Sequence, residues 1–136
     1  MVAKSEGTVA NPYWEGVKGD VEMDHCGPVV GGMKGWERRG ILNSPFMKRW
    51  DFANKWCFTI PDPATLAFVS RHVGKKVLDP MAGSGYWASL LARLGHDIVA
   101  YDLHPPTSGR NKWHHEPHFN VAELSGAEAA ARHSDR

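Results

Sequence analysis

The chain has 136 residues, 42% of them hydrophobic and 23% charged, with a formal net charge of +1. That size and balance are those of one soluble globular domain, and the near-neutral charge argues against a protein that binds a nucleic-acid polyanion over its whole surface. No run approaches the ~20 apolar residues of a membrane span and no signal-peptide core opens the sequence, which makes the cytoplasm the expected compartment. Two cysteines, Cys26 and Cys57, form no disulfide framework and read as buried thiols.

Residues 1–32 are rich in glycine, carry an acidic excess and contain Asn11-Pro12-Tyr13-Trp14 and Gly27-Pro28. This composition predicts an irregular arm with a few aromatic anchors. Residues 33–74 read as a helical cap. In its first part Lys34, Arg38, Arg39, Lys48, Arg49 and Lys55 face only Glu37 and Asp51, interleaved with Trp36, Trp50 and Trp56. Base stacking with phosphate contact is one use for such a set. The preferred reading is a helix started by Ser44-Pro45, with Phe46, Trp50, Ala53 and Cys57 on one packed stripe and the cations on its solvated face. A second helix begins at Asp62 with Pro63 in its first turn, buries Leu66, Val69 and Val73, and stops at Gly74.

The most informative segment follows. Val77-Leu78 forms a short apolar strand ending in Asp79, and Pro80-Met81-Ala82-Gly83-Ser84-Gly85 then turns into a helix with Trp87, Leu90, Leu91 and Leu94 at helical spacing, terminated by Gly95. A second strand, Ile98-Val99-Ala100-Tyr101, ends in Asp102. A loop passing beneath a bound nucleoside cannot carry Cβ atoms and often needs positive φ, which Gly83 and Gly85 supply. The amides opening the helix would point into the site, and Asp102 could accept both ribose hydroxyls, as an acid at that place does in dinucleotide folds. Gly83-Ser84-Gly85-Tyr86-Trp87-Ala88 also fits a loose dinucleotide fingerprint, so a nicotinamide or flavin nucleotide is the main competitor. Asp79 weighs against it: a carboxylate repels a pyrophosphate but tolerates the ammonium and sulfonium of S-adenosylmethionine.

Beyond Asp102, Leu103 to Gly109 is a proline-interrupted loop, Phe119-Asn120-Val121 a candidate third strand, and Ser125 with Glu128 a capping box for an alanine-rich helix. His104, His114, His115 and His118 gather in this stretch, but no cysteine is near and their spacing matches no metal template, so no metal site is expected. His25-Cys26 is weaker still. Tyr86 and Trp87 could line the cofactor, with core packing preferred for Trp87. If a general base is used, His104 or His114 is the candidate, because imidazole titrates near neutral pH.

Asp79 to Gly85 resembles the first motif of the Rossmann-like S-adenosylmethionine-dependent methyltransferases, in the form seen in DNA amino-methyltransferases, with Met81 replacing the first glycine. Gly85-Tyr86-Trp87-Ala88, Ala100-Tyr101-Asp102, Pro105-Pro106, Gly109 and Asn111 look like a group of bacterial methyltransferase-like proteins, and Thr59-Ile60-Pro61-Asp62-Pro63 resembles the element covering the methionine moiety. The resemblance implies a three-layer αβα parallel sheet, incomplete at about three core strands, occupying residues 75–136. It further implies S-adenosyl-L-methionine as cofactor, S-adenosyl-L-homocysteine as product, and Asp79, Pro80, Met81, Ala82, Gly83, Ser84, Gly85, Tyr86, Asp102 and Leu103 as the residues around it. The chain ends where a fourth strand would begin, and no Asn-Pro-Pro-Tyr or Asp-Pro-Pro-Tyr sequence is present, which weakens a DNA-modification reading. The first strand is then expected to leave an edge to be covered by a homodimer or a complementary chain. Two functions follow: a methyltransferase with an unidentified acceptor, or a non-catalytic cofactor-binding module that needs a partner.

Overall fold

A computed structural model describes residues 9–25 and 51–136 of the chain. The expectations for Phe46, Trp50, Cys26 and the basic stretch up to residue 50 lie outside the described residues. Helix α1 spans Pro12–His25. Its start is set by Asn11, whose side-chain oxygen accepts from the Trp14 amide at 3.2 Å and whose carbonyl accepts from the Glu15 amide at 3.1 Å. This corrects the expectation of an irregular arm: Asn11 and Pro12 are a helix start, and packing then overrides the low propensity of Gly16 and Gly19. Tyr13 is fully buried, stacked on Phe52 with ring centroids 5.9 Å apart and edge-on to Tyr86 at 6.1 Å. A Cβ on Gly16 would stand 2.4 Å from the Phe52 ring, so this helical glycine makes room for that stack.

Residues 51–55 are helical. Ala53 and Cys57 are buried, as the stripe predicts. Helix α2, Pro63–His72, is capped by Asp62, which accepts from the amides of Ala64 and Thr65, and it buries Leu66. Strand β1, Lys76–Asp79, leads through the glycine turn into helix α3, Tyr86–Arg93. Leu94 caps α3, and Gly95 at φ +91° and His96 return their amides to Ala92 and Leu91. Strand β2 is Asp97–Asp102, strand β3 is Val121–Glu123, and helix α4 is Gly126–Arg132 with the expected Ser125–Glu128 capping box.

The strands form one open parallel sheet in the order β1-β2-β3. Because side chains alternate across a strand, Ile98 and Ala100 share one face of β2 while Val99 and Tyr101 share the other. Ile98, Ala100, Val77 and Val121 pack with Leu90 and Leu91 of α3. On the opposite face, Tyr101 donates to or accepts from His133 at 2.7 Å just after α4. Helices therefore cover both faces, in accord with an α/β parallel architecture. Strand β3 begins two residues later than expected. Val121 is the register partner of Ala100, whereas Phe119 is used as a packing residue against the glycine turn. Among the described residues no helix is long and apolar enough to cross a membrane.

Candidate functional site

The parallel register sets Asp79 opposite Ala100, so Asp79 and Asp102 both lie at the carboxyl end of the sheet, on neighbouring strands. The glycine turn between them is tied to the second acid. Gly83 donates its amide to Asp102 Oδ2 at 2.9 Å, and His104 donates its amide to Asp102 Oδ1 at 2.9 Å. Ala82 donates to the Tyr101 carbonyl at 2.9 Å, which draws the turn down onto β2. Each carboxylate oxygen of Asp102 keeps lone pairs beyond these bonds. Burial pushes the Asp79 carboxyl above its usual range; a hydrogen bond from the Met81 amide opposes this, and the Asp102 charge adds to it.

Both glycines of the turn have positive φ, +55° at Gly83 and +76° at Gly85. Their surroundings differ. A Cβ on Gly85 would stand 2.7 Å from Phe119 Cβ and 2.8 Å from Val121 Cγ2, so this glycine is required by the approach of β3. A Cβ on Gly83 would stand 3.3 Å from Cδ2 and 3.4 Å from Nε2 of His114, so an imidazole lies against the bare face of the turn. The amide of Gly83 is thus spent on Asp102, and that of Gly85 on the Ala82 carbonyl at 2.7 Å, where the sequence suggested amides open to a ligand.

Tyr86 leaves the cradle altogether. It is buried, and its hydroxyl donates to Asn11 Oδ1 at 2.8 Å and accepts from the Tyr13 amide at 3.2 Å. Burial raises its phenol above the ordinary range, with the Tyr13 amide acting against the shift. The Trp87 indole donates to Thr59 Oγ1 at 2.7 Å and packs against the core, as expected. Pro80 abuts the start of α4, its carbonyl 3.3 Å from where a Cβ on Gly126 would lie. Met81 and Leu103, by contrast, are 81% and 58% exposed at the carboxyl end, and Ala82 is half-buried.

A clasp that no local sequence pattern announces joins this turn to residues 51–56. Three successive carbonyls at the end of that helical segment, those of Asn54, Lys55 and Trp56, accept from His114 Nδ1 at 3.1 Å, His118 Nε2 at 2.5 Å and the Ser84 hydroxyl. The orphan carbonyls of a helix end are satisfied in this way, and imidazoles suit the negative end of its dipole. His118 also stacks on Trp56 with centroids 4.7 Å apart, and its amide donates to the Ser84 carbonyl at 2.8 Å. The loop itself is shaped by Asn111, whose oxygen accepts from the amides of Trp113 and His114 and whose nitrogen donates to the His104 carbonyl. His104 Nδ1 is buried with no hydrogen-bond partner among the described residues. His115 is exposed and takes no part in the clasp. Among the described residues no three His, Cys, Asp or Glu side chains are grouped to hold a metal ion.

Two carboxylates flanking the turn, one of them disfavoured as an anion, suit a ligand group that is cationic and donates hydrogen bonds. The ammonium and sulfonium end of S-adenosylmethionine has that chemistry, and a pyrophosphate has the opposite. Compared with known proteins, the chain matches no family model, no curated protein and no solved structure.

Proposed function

We propose that the chain binds S-adenosylmethionine at the carboxyl ends of β1 and β2 and serves transfer of its methyl group to an acceptor. The observation that carries this reading is the pairing of Asp79 and Asp102 across the Gly83–Gly85 turn, with Asp102 anchored to the turn by its Gly83 bond. Asp102 would accept the ribose hydroxyls through its remaining lone pairs, and the exposed Leu103 beside it would give the adenine an apolar face. Asp79 would compensate the positive charge of the aminoacyl-sulfonium end, which relieves its own unfavourable ionisation. Bound there, the cofactor supplies an electrophilic methyl group. The protein's contribution is then chiefly to orient an acceptor in line behind it and to exclude water.

Calorimetry with S-adenosylhomocysteine and with NAD tests the reading directly. Binding of the first and not of the second is expected; the reverse result would transfer the site to a nicotinamide nucleotide. Release of labelled methyl groups to an acceptor separates an enzyme from a binding module, since the module binds without turnover. Among the described residues β1 pairs with a strand on one side only. We therefore extend the proposal to a second copy of the chain, or a complementary one, covering that edge. A sedimentation mass equal to one chain would remove the extension.

A further inference from the structure

The amino ends of β1 and β2 carry a second arrangement of chemical groups, apart from the glycine turn. Ser70 lies in the last turn of α2, and His96 immediately precedes β2. Ser70 Oγ is 2.8 Å from His96 Nε2, and His96 Nδ1 is 3.0 Å from the carbonyl of Gly74, in the link between α2 and β1. A carbonyl can only accept, so the proton of the neutral ring sits on Nδ1. Nε2 is then the acceptor, and the Ser70 hydroxyl donates to it. A serine inside a helix commonly returns its hydroxyl to the carbonyl four residues back. Ser70 turns instead to the imidazole, and its oxygen accepts no hydrogen bond among the described residues, which leaves its lone pairs open. Both residues are half-buried, within reach of a small molecule. A nucleophile, a base and a third group that orients the base are the parts that covalent acyl transfer uses.

We propose that Ser70 takes an acyl group from an activated ester or thioester, with His96 as its base. Phosphoryl donors fit less well: their transfer depends on cations clamped to the phosphoryl oxygens, and no ammonium or guanidinium is bonded to Ser70 or His96 among the described residues. The orienting group narrows the donor further. A neutral carbonyl steadies an imidazolium less than a carboxylate does, and the carbonyl end of α2 adds only a partial charge, which suits donors whose leaving group departs readily. In the reaction Ser70 Oγ bonds to the acyl carbon and its proton passes to Nε2. The bond from that carbon to the donor's oxygen or sulfur then breaks, the electron pair leaves with the oxygen or sulfur, and Nε2 returns the proton to it. Water later attacks the Ser70 ester and gives a proton to Nε2; Oγ recovers that proton as the carboxylic acid departs. Five residue steps along β2, about 16 Å, separate Asp97, next to His96, from Asp102, so the assignment does not rest on the cofactor reading.

The test uses the full chain with p-nitrophenyl acetate, S-phenyl thioacetate and p-nitrophenyl phosphate. Acid quench and peptide mass spectrometry should find acetyl on Ser70 with the ester and the thioester, accumulating about 100-fold faster than on the exposed Ser134. The phosphate ester should leave Ser70 unmodified. Ser70→Ala should abolish the burst of p-nitrophenolate. His96→Asn keeps a side-chain N–H for the Gly74 carbonyl but lacks Nε2, and it should slow acetylation of Ser70 by about 100-fold while far-UV circular dichroism shows the chain folded. Acetylation of Ser70 no faster than of Ser134, or phosphorylation of Ser70 in its place, would overturn the proposal on the unsubstituted chain alone. An unchanged rate in folded His96→Asn would remove the imidazole as base and reduce the Ser70–His96 bond to a tie between α2 and β2. Each of these outcomes is independent of whether the chain binds S-adenosylhomocysteine.

Discussion

Gly85→Ala separates the architectural role of the glycine turn from its role toward a ligand. At φ +76° an L side chain is strained by about 1–2 kcal/mol. The new Cβ would also stand 2.7 Å from Phe119 Cβ, 2.8 Å from Val121 Cγ2 and 3.2 Å from the Phe119 amide nitrogen. None of these is the free end of a flexible side chain, so β3 must shift, and overpacking of that kind adds about 1–3 kcal/mol. The total is roughly 2–5 kcal/mol, and at about 3.5 °C per kcal/mol for a chain of this size the melting temperature should fall by about 7–17 °C. Gly109→Ala is the internal control. Its φ is +70° but nothing lies within 4 Å of its Cβ position, so only the strain of about 1–2 kcal/mol applies. Thermal unfolding followed by far-UV circular dichroism on both variants decides the matter. Equal melting temperatures for the two would refute the claim that β3 packing dictates glycine at residue 85.

Asp79→Asn should stabilise the protein at neutral pH. Burial holds the folded carboxyl above its ordinary value of 3.8, so ionisation opposes folding as pH rises through the raised value, and the benefit of the amide should vanish below 3.8. The same variant should bind S-adenosylhomocysteine more weakly, and calorimetry alongside denaturant titration at neutral and acid pH reads both effects; a loss of stability at neutral pH would refute the account. Asp102→Ala removes the acceptors of the Gly83 and His104 amides and should lower cofactor affinity by about 1.5–3 kcal/mol, measured by calorimetry, with unchanged affinity refuting the cradle. Cys57 is pushed up to about 12 by burial, outweighing hydrogen bonding from the Thr59 backbone and side chain that favours the thiolate, and should resist iodoacetamide in the native state when mapped by peptide mass spectrometry. Gly19→Ala, exposed in α1 with open space around it, should add about 0.5–1 kcal/mol of stability in a denaturant titration.

What was legible in the sequence was local. Asp62, Gly95 and Ser125 announce their helix ends because a cap depends on residues within a few positions of itself. The two strands ending in Asp79 and Asp102 were equally plain, since apolar runs stopped by an acid carry their own boundaries. Helix α1 was missed because Gly16 and Gly19 lower local propensity, while the packing of Tyr13 on Phe52 and Tyr86 is visible only in three dimensions. Tyr86 shows the same limit at the site. Beside the glycine turn it read as a cofactor residue, yet its hydroxyl goes to Asn11, 75 positions away. The start of β3 depended on its register with β2, and a register is set by the partner strand rather than by the segment itself. His104 and His114 were singled out from a run of histidines, but which nitrogen of His114 holds the proton follows only from Asn54.

The clasp of Asn54, Lys55 and Trp56 also bears on how the chain folds. Its bonds close loops of 60, 63 and 28 residues, whereas the sheet grows from shorter neighbouring crossovers. Long loops close late because their entropy must be spent before any contact rewards it. The glycine turn should therefore acquire its final shape only when the amino-terminal half docks. A fragment trimmed to residues 75–136 would keep its strands, but it would lose the three carbonyls that hold His114, His118 and Ser84 in place. Hydrogen exchange in such a fragment should be fast through residues 111–120 while β2 stays protected, so the amino-terminal half is a structural wall of the site.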